Sequence, residues 1–88
     1  IKLSIQVENP LIEADTYRKV AEVYSLLGNY KLSINITNKA LNIYQKVGNK
    51  QSQVTALLDI GEQERKAQNF SKALHFFEQG LQLSKEQE

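Results

Sequence analysis

Apolar residues recur along this chain at steps of three and four, the spacing of one helix face, in four successive stretches. The first carries Ala14, Tyr17, Val20, Ala21, Tyr24 and Leu27. It opens at Asn9-Pro10, where asparagine can cap and proline suits a first turn, and it closes at Gly28-Asn29. The second carries Tyr30, Ile34, Thr37, Ala40, Leu41 and Tyr44 and closes at Gly48-Asn49. The third runs through Val54, Leu57, Leu58, Ile60, Gly61 and Ala67 and turns at Gln68-Asn69 without a glycine. The fourth carries Phe70, Ala73, Leu74, Phe77, Gly80 and Leu81 and extends to Leu83 and Ser84. Turns this short fold each pair of helices into an antiparallel hairpin, so the fold class is all-α.

The hairpins repeat. A shift of forty positions places Tyr17 on Leu57, Val20 on Ile60, Ala21 on Gly61, Asn29 on Asn69, Tyr30 on Phe70 and Leu41 on Leu81. Few identities survive, but size class does, which is what shared packing demands. The same shift places Ile1 on Leu41 and Val7 on Val47. Residues 1–8 therefore read as the last turns of a preceding repeat helix, residues 9–49 as one unit and residues 50–88 as a second. Small residues at Ala21, Ser33, Ala40, Gly61, Ala73 and Gly80 let helices approach closely. Glycine inside a helix costs about 1 kcal/mol relative to alanine. Gly61 and Gly80 are thus expected to serve packing.

These positions resemble the tetratricopeptide repeat. The first unit reads Tyr17, Val20-Ala21, Tyr24, Gly28-Asn29-Tyr30, Ser33, Thr37 and Ala40-Leu41. The second reads Leu57, Ile60-Gly61, Glu64, Gln68-Asn69-Phe70, Ala73, Phe77 and Gly80-Leu81. The resemblance implies a right-handed α-solenoid of stacked hairpins with an extended concave face. The closing proline is absent, and the period exceeds the usual value of about thirty-four. This longer form looks like repeats in kinesin light chains, bacterial peptide-sensing regulators and arrays fused to bacterial signalling domains. Thr37 stands where an aromatic is expected, and Glu64 where a tyrosine packs inward. Glu64 either turns outward or meets a further helix.

In the resembling family the first helix of each pair lines the concave face. The corresponding residues here are Asp15, Arg18, Lys19, Glu22, Ser25 and Leu26, then Thr55, Leu58, Asp59, Glu62, Arg65 and Lys66. A face of mixed charge with a few apolar points suits a protein or peptide partner. Arg18 and Arg65 are the strongest expected anchors, because a guanidinium offers a fork of donors and a flat stacking surface. Some family members hold a C-terminal carboxylate with Lys, Asn and Arg residues. Arg18 falls near one such position, but Glu22 and Asp59 stand where asparagines are needed, so that recognition is not implied.

Composition narrows the function further. Eleven basic and ten acidic residues are interspersed to a net charge of +1, with no basic stripe for nucleic acid. Cysteine is absent, which excludes disulfides and thiolate metal sites and fits a reducing, cytoplasmic setting. No apolar run reaches the length of a membrane span. His75 is the single histidine, one step off the apolar face of the fourth helix, and is expected on the solvent side or at an interface. No nucleophile–base arrangement, phosphate loop, metal set or cofactor motif is present, so catalysis is not expected. The sequons Asn35-Ile36-Thr37 and Asn69-Phe70-Ser71 owe their apolar middles to the repeat pattern. The leading expectation is a scaffold module that holds a protein or peptide. One rival is a ligand-sensing regulatory segment of a larger signalling or transcription-regulatory protein. Another is self-association through an open face carrying Leu74, Phe77 and Leu81.

Overall fold

A computed structural model describes residues 9–86. The expected preceding helix end at residues 1–8 lies outside them. Four helices follow one another: α1 (Pro10–Leu26), α2 (Tyr30–Val47), α3 (Lys50–Lys66) and α4 (Phe70–Glu86). There is no strand among the described residues. Each helix packs mainly on its neighbours in the chain: α1 on α2, α2 on α3 and α3 on α4. The chain is thus two hairpins joined by a third helix–helix contact.

The starts share one chemistry. The side chains of Asn9, Asn29 and Asn49 accept from the backbone N–H groups of Leu11, Leu32 and Ser52 at 3.0, 3.2 and 3.0 Å. Each satisfies a donor that the first helical turn leaves without a partner. The ends share another. Gly28 and Gly48 both take φ of +82°, and Gln68 takes +66° in the equivalent place. Behind them Asn29, Asn49 and Asn69 donate their backbone N–H to Tyr24, Tyr44 and Glu64 carbonyls at 2.9, 3.1 and 2.8 Å. Such six-to-one closure around a left-handed residue reverses the chain immediately. The third turn keeps this geometry although it lacks the glycine.

The core is built from Ala14, Ala40, Leu41, Tyr44, Ala56, Leu57 and Ile60. Small residues set its spacing as expected. A Cβ on Gly61 would stand 2.7 Å from Cε1 of Phe77, and one on Gly80 would stand 3.0 Å from Cδ2 of Leu58. Tyr44, on the apolar face of the second stretch, is fully buried. Glu64 neither turns outward nor awaits a further helix. It is buried, and its carboxylate accepts from Asn69 Nδ2 at 2.9 Å.

Not every residue of the apolar pattern is covered. Val20 on α1 and Leu27 at its C-cap are exposed, as are Phe70 and, on the face expected to be open, Leu74 and Leu81 on α4. The reason is topological. Both outer helices touch a single neighbour in the main, so the flank turned away from it stays open. Phe77 escapes this because its ring lies over Gly61.

Two stability changes follow, each read by urea denaturation. Gln68→Gly is expected to stabilise by about 0.5–1 kcal/mol: it removes a left-handed cost of about 1–2 kcal/mol and adds the chain entropy that glycine loses. Gly61→Ala is expected to destabilise despite its better helix propensity, because overpacking against Phe77 costs about 1–3 kcal/mol. Adding Phe77→Leu to Gly61→Ala should recover part of that loss; a stabilised single variant would show that the two helices are not closely approached there.

Candidate partner-binding groove

The first helices of the two hairpins, α1 and α3, flank a groove of about 610 Å³. From α1 it is lined by Asp15, Arg18, Lys19, Glu22, Ser25 and Leu26. From α3 it is lined by Ser52, Asp59, Gln63 and Lys66. Ala21, together with Ser33 and Thr37 of α2, forms the floor. The two floor hydroxyls are spent internally: Ser33 Oγ donates to the Ala21 carbonyl at 2.8 Å and Thr37 Oγ1 to the Ser33 carbonyl at 2.9 Å.

Polar side chains hold the two walls in register. Arg18 Nε donates to Asp59 Oδ2 at 2.9 Å, and Ser25 Oγ donates to Gln63 Oε1 at 2.5 Å. Beneath them the Tyr44 hydroxyl of α2 donates to Asp15. Burial and then that bond to Asp15 push the Tyr44 phenol above its ordinary value, while neighbouring Arg18 pulls the other way. Burial opposes the charge on Arg18, yet neighbouring Tyr44 and its bonded partner Asp59 raise its pKa. Two bonds, Tyr44–Asp15 and Arg18–Asp59, thus tie α2 to α1 and α1 to α3. The Arg18–Asp59 pair is partly exposed, so on its own it contributes about 0.5 kcal/mol.

Of the twelve residues expected at a partner-binding face, the groove brings together Asp15, Arg18, Lys19, Glu22, Ser25, Leu26, Asp59 and Lys66. Thr55, Leu58, Glu62 and Arg65 do not line it. Leu58 lies over Gly80, while Arg65 pairs with Glu62 on its own helix. That bond from Arg65 holds the Glu62 carboxyl below its usual range. Both expected arginine anchors are thus engaged within the chain. Beside the expected Asp59 and Lys66, the α3 wall presents Ser52 and Gln63, the latter one position round from Glu62, or about 100°. Ser52 and Gln63 are the lining residues of α3 that the repeat positions did not indicate. His75 is exposed on α4, its ring centroid 5.8 Å from that of Phe76. Among the described residues no group of His, Asp and Glu could hold a metal ion, and no helix is long and apolar enough to cross a membrane.

Stacked hairpins with such a groove between their first helices define an α-helical repeat module. A tetratricopeptide-repeat family model matches residues 12–86, and the chain belongs to that family. No curated protein and no solved structure matches it at a significant level. The family is a scaffold fold generally involved in protein interaction, which supports a non-catalytic role at that general level.

Tyr44→Phe tests the ties under the groove. Loss of the bond to Asp15 is expected to cost about 1 kcal/mol. A phenol whose folded pKa is raised adds stability that is complete below its ordinary value of 10.0 and is lost as pH rises above it. Wild type should therefore lose stability above that pH more steeply than Tyr44→Phe, in denaturation series at graded alkaline pH. Parallel curves would place the Tyr44 hydroxyl outside the network.

Proposed function

We propose that this chain is a protein- or peptide-binding module whose α1/α3 groove receives an extended segment of its partner. The observation that carries the reading is the division of labour among the groove's charges. Arg18 and Asp59 close on each other, whereas Lys19, Glu22 and Lys66 line the same groove and make no ion pair among the described residues. Charges already held by the chain shape the groove; charges left over are available to a partner. Leu26 adds an apolar contact at the same wall, being 79% exposed. Rigid helices carry all four, so binding costs little ordering of the module. A partner segment with both charge signs and a small apolar side chain fits this lining.

A peptide selected from a random displayed library on the wild-type chain supplies the probe. Lys19→Glu with Lys66→Glu is expected to weaken its binding at least tenfold, about 1.4 kcal/mol, by calorimetry or fluorescence anisotropy. Arg65→Glu, on the other flank of α3, should leave it within twofold. Equal losses in both variants would show that net charge and not the groove governs binding.

A further inference from the structure

The charges left over in the groove follow an order along it, and the two bonds across the groove fix their positions. Arg18 reaches Asp59 and, further on, Ser25 reaches Gln63, so residue numbers rise together on both walls and α1 runs in the same direction as α3. Lys19 stands one residue past the first bond and Glu22 four residues past it. On the facing wall Lys66 stands seven residues past Asp59 and three past Gln63. At a helical rise of about 1.5 Å per residue, Lys19 and Lys66 are separated along the groove by roughly 9 Å measured from the first bond and roughly 13 Å measured from the second. Both measures place Glu22 between them. The other charges nearby are engaged: Asp15 accepts from Tyr44, Arg18 pairs with Asp59, and Glu62, one turn before Lys66, pairs with Arg65. The free charge along the groove therefore reads positive, negative, positive.

We propose that the segment received by this groove carries an acidic, a basic and an acidic side chain at alternate positions, with an apolar side chain beside the acid that meets Lys66. The proposal rests on the α1/α3 groove being the partner site and adds the order of the partner's charges. An extended chain turns every second side chain to the same face, so three such side chains span about 13 Å. That length matches the separation of Lys19 from Lys66, and the flexible four-carbon stem of lysine takes up the remainder. The middle side chain then falls on Glu22, and the apolar one on Leu26, which is 79% exposed. A segment of the same composition in another order sets like charges together, which adds repulsion to the attraction it loses.

Two fluorescent peptides of identical composition test it by anisotropy at low salt. One carries glutamate, lysine and glutamate at alternate positions, spaced by serine, with leucine after the last. The other carries lysine first and the two glutamates after it. Wild type is expected to bind the first at least tenfold more tightly, and added salt should shrink that advantage. Lys19→Glu combined with Glu22→Lys turns the groove's order into negative, positive, positive and should reverse the preference, while the net charge of protein and peptides stays the same. Both positions are exposed, so the exchange leaves the core untouched. Lys66→Glu serves in its place if circular dichroism shows that the exchange disturbs the helices; it should favour a peptide whose last glutamate is replaced by lysine. Equal binding of the two isomers by wild type, or a preference that the exchange does not reverse, would overturn the charge order. If Lys19→Glu with Lys66→Glu still weakens a library-selected peptide, the groove remains the partner site and only the order falls; if it does not, both fall.

Discussion

The groove depends on how α1 and α3 are held beside each other. Their backbones do not pack closely; each packs on α2, and α3 on α4 as well. Side chains bridge the remaining space: Arg18 to Asp59, Ser25 to Gln63, and Tyr44 from below to Asp15. Apolar residues at these places would draw the helices together and fill the gap. Polar residues of fixed reach instead keep two walls apart and in register, with hydrated charges between them. Tyr44 is the key member, because a fully buried ring on α2 anchors in the core while its hydroxyl reaches the groove wall.

That arrangement requires the helices to reverse at fixed points. Each turn spends a single left-handed residue, Gly28, Gly48 or Gln68. With asparagine after each of them, the chain leaves one helix and enters the next within a few residues. Gln68 accepts a conformation disfavoured for a side chain, and the turn survives because tertiary packing on both sides enforces it. Asn69 differs from the other three asparagines in turning its side chain to Glu64. This explains how a carboxylate sits buried where the repeat calls for a tyrosine.

Much of the fold was legible in the sequence because it is local. Helix starts at asparagine, helix ends at glycine, and close approach at Gly61 and Gly80 all follow from short-range chemistry and a forty-residue period. Exposure was less legible, because it depends on which neighbour is present. Val20 and Ile60 have the same pattern around them, yet one is open and the other buried. The α1 wall of the groove was readable from the repeat. On the α3 wall the repeat indicates Asp59 and Lys66 but not Ser52 and Gln63, because transferring positions from unit to unit does not say which neighbouring flank faces the groove. The engagement of Arg18 with Asp59 and of Tyr44 with Asp15 joins residues far apart in the chain, and no local pattern announces it.

The most direct test of the groove is to map a bound segment on the chain itself. Backbone amide chemical shifts would be recorded as a selected library peptide is titrated into the labelled protein. The largest changes are predicted along one flank of α1, at Lys19, Glu22 and Leu26, and along the facing flank of α3, at Asp59, Gln63 and Lys66. Changes confined to Leu58, Glu62 and Arg65, or to α2 and α4, would contradict the account.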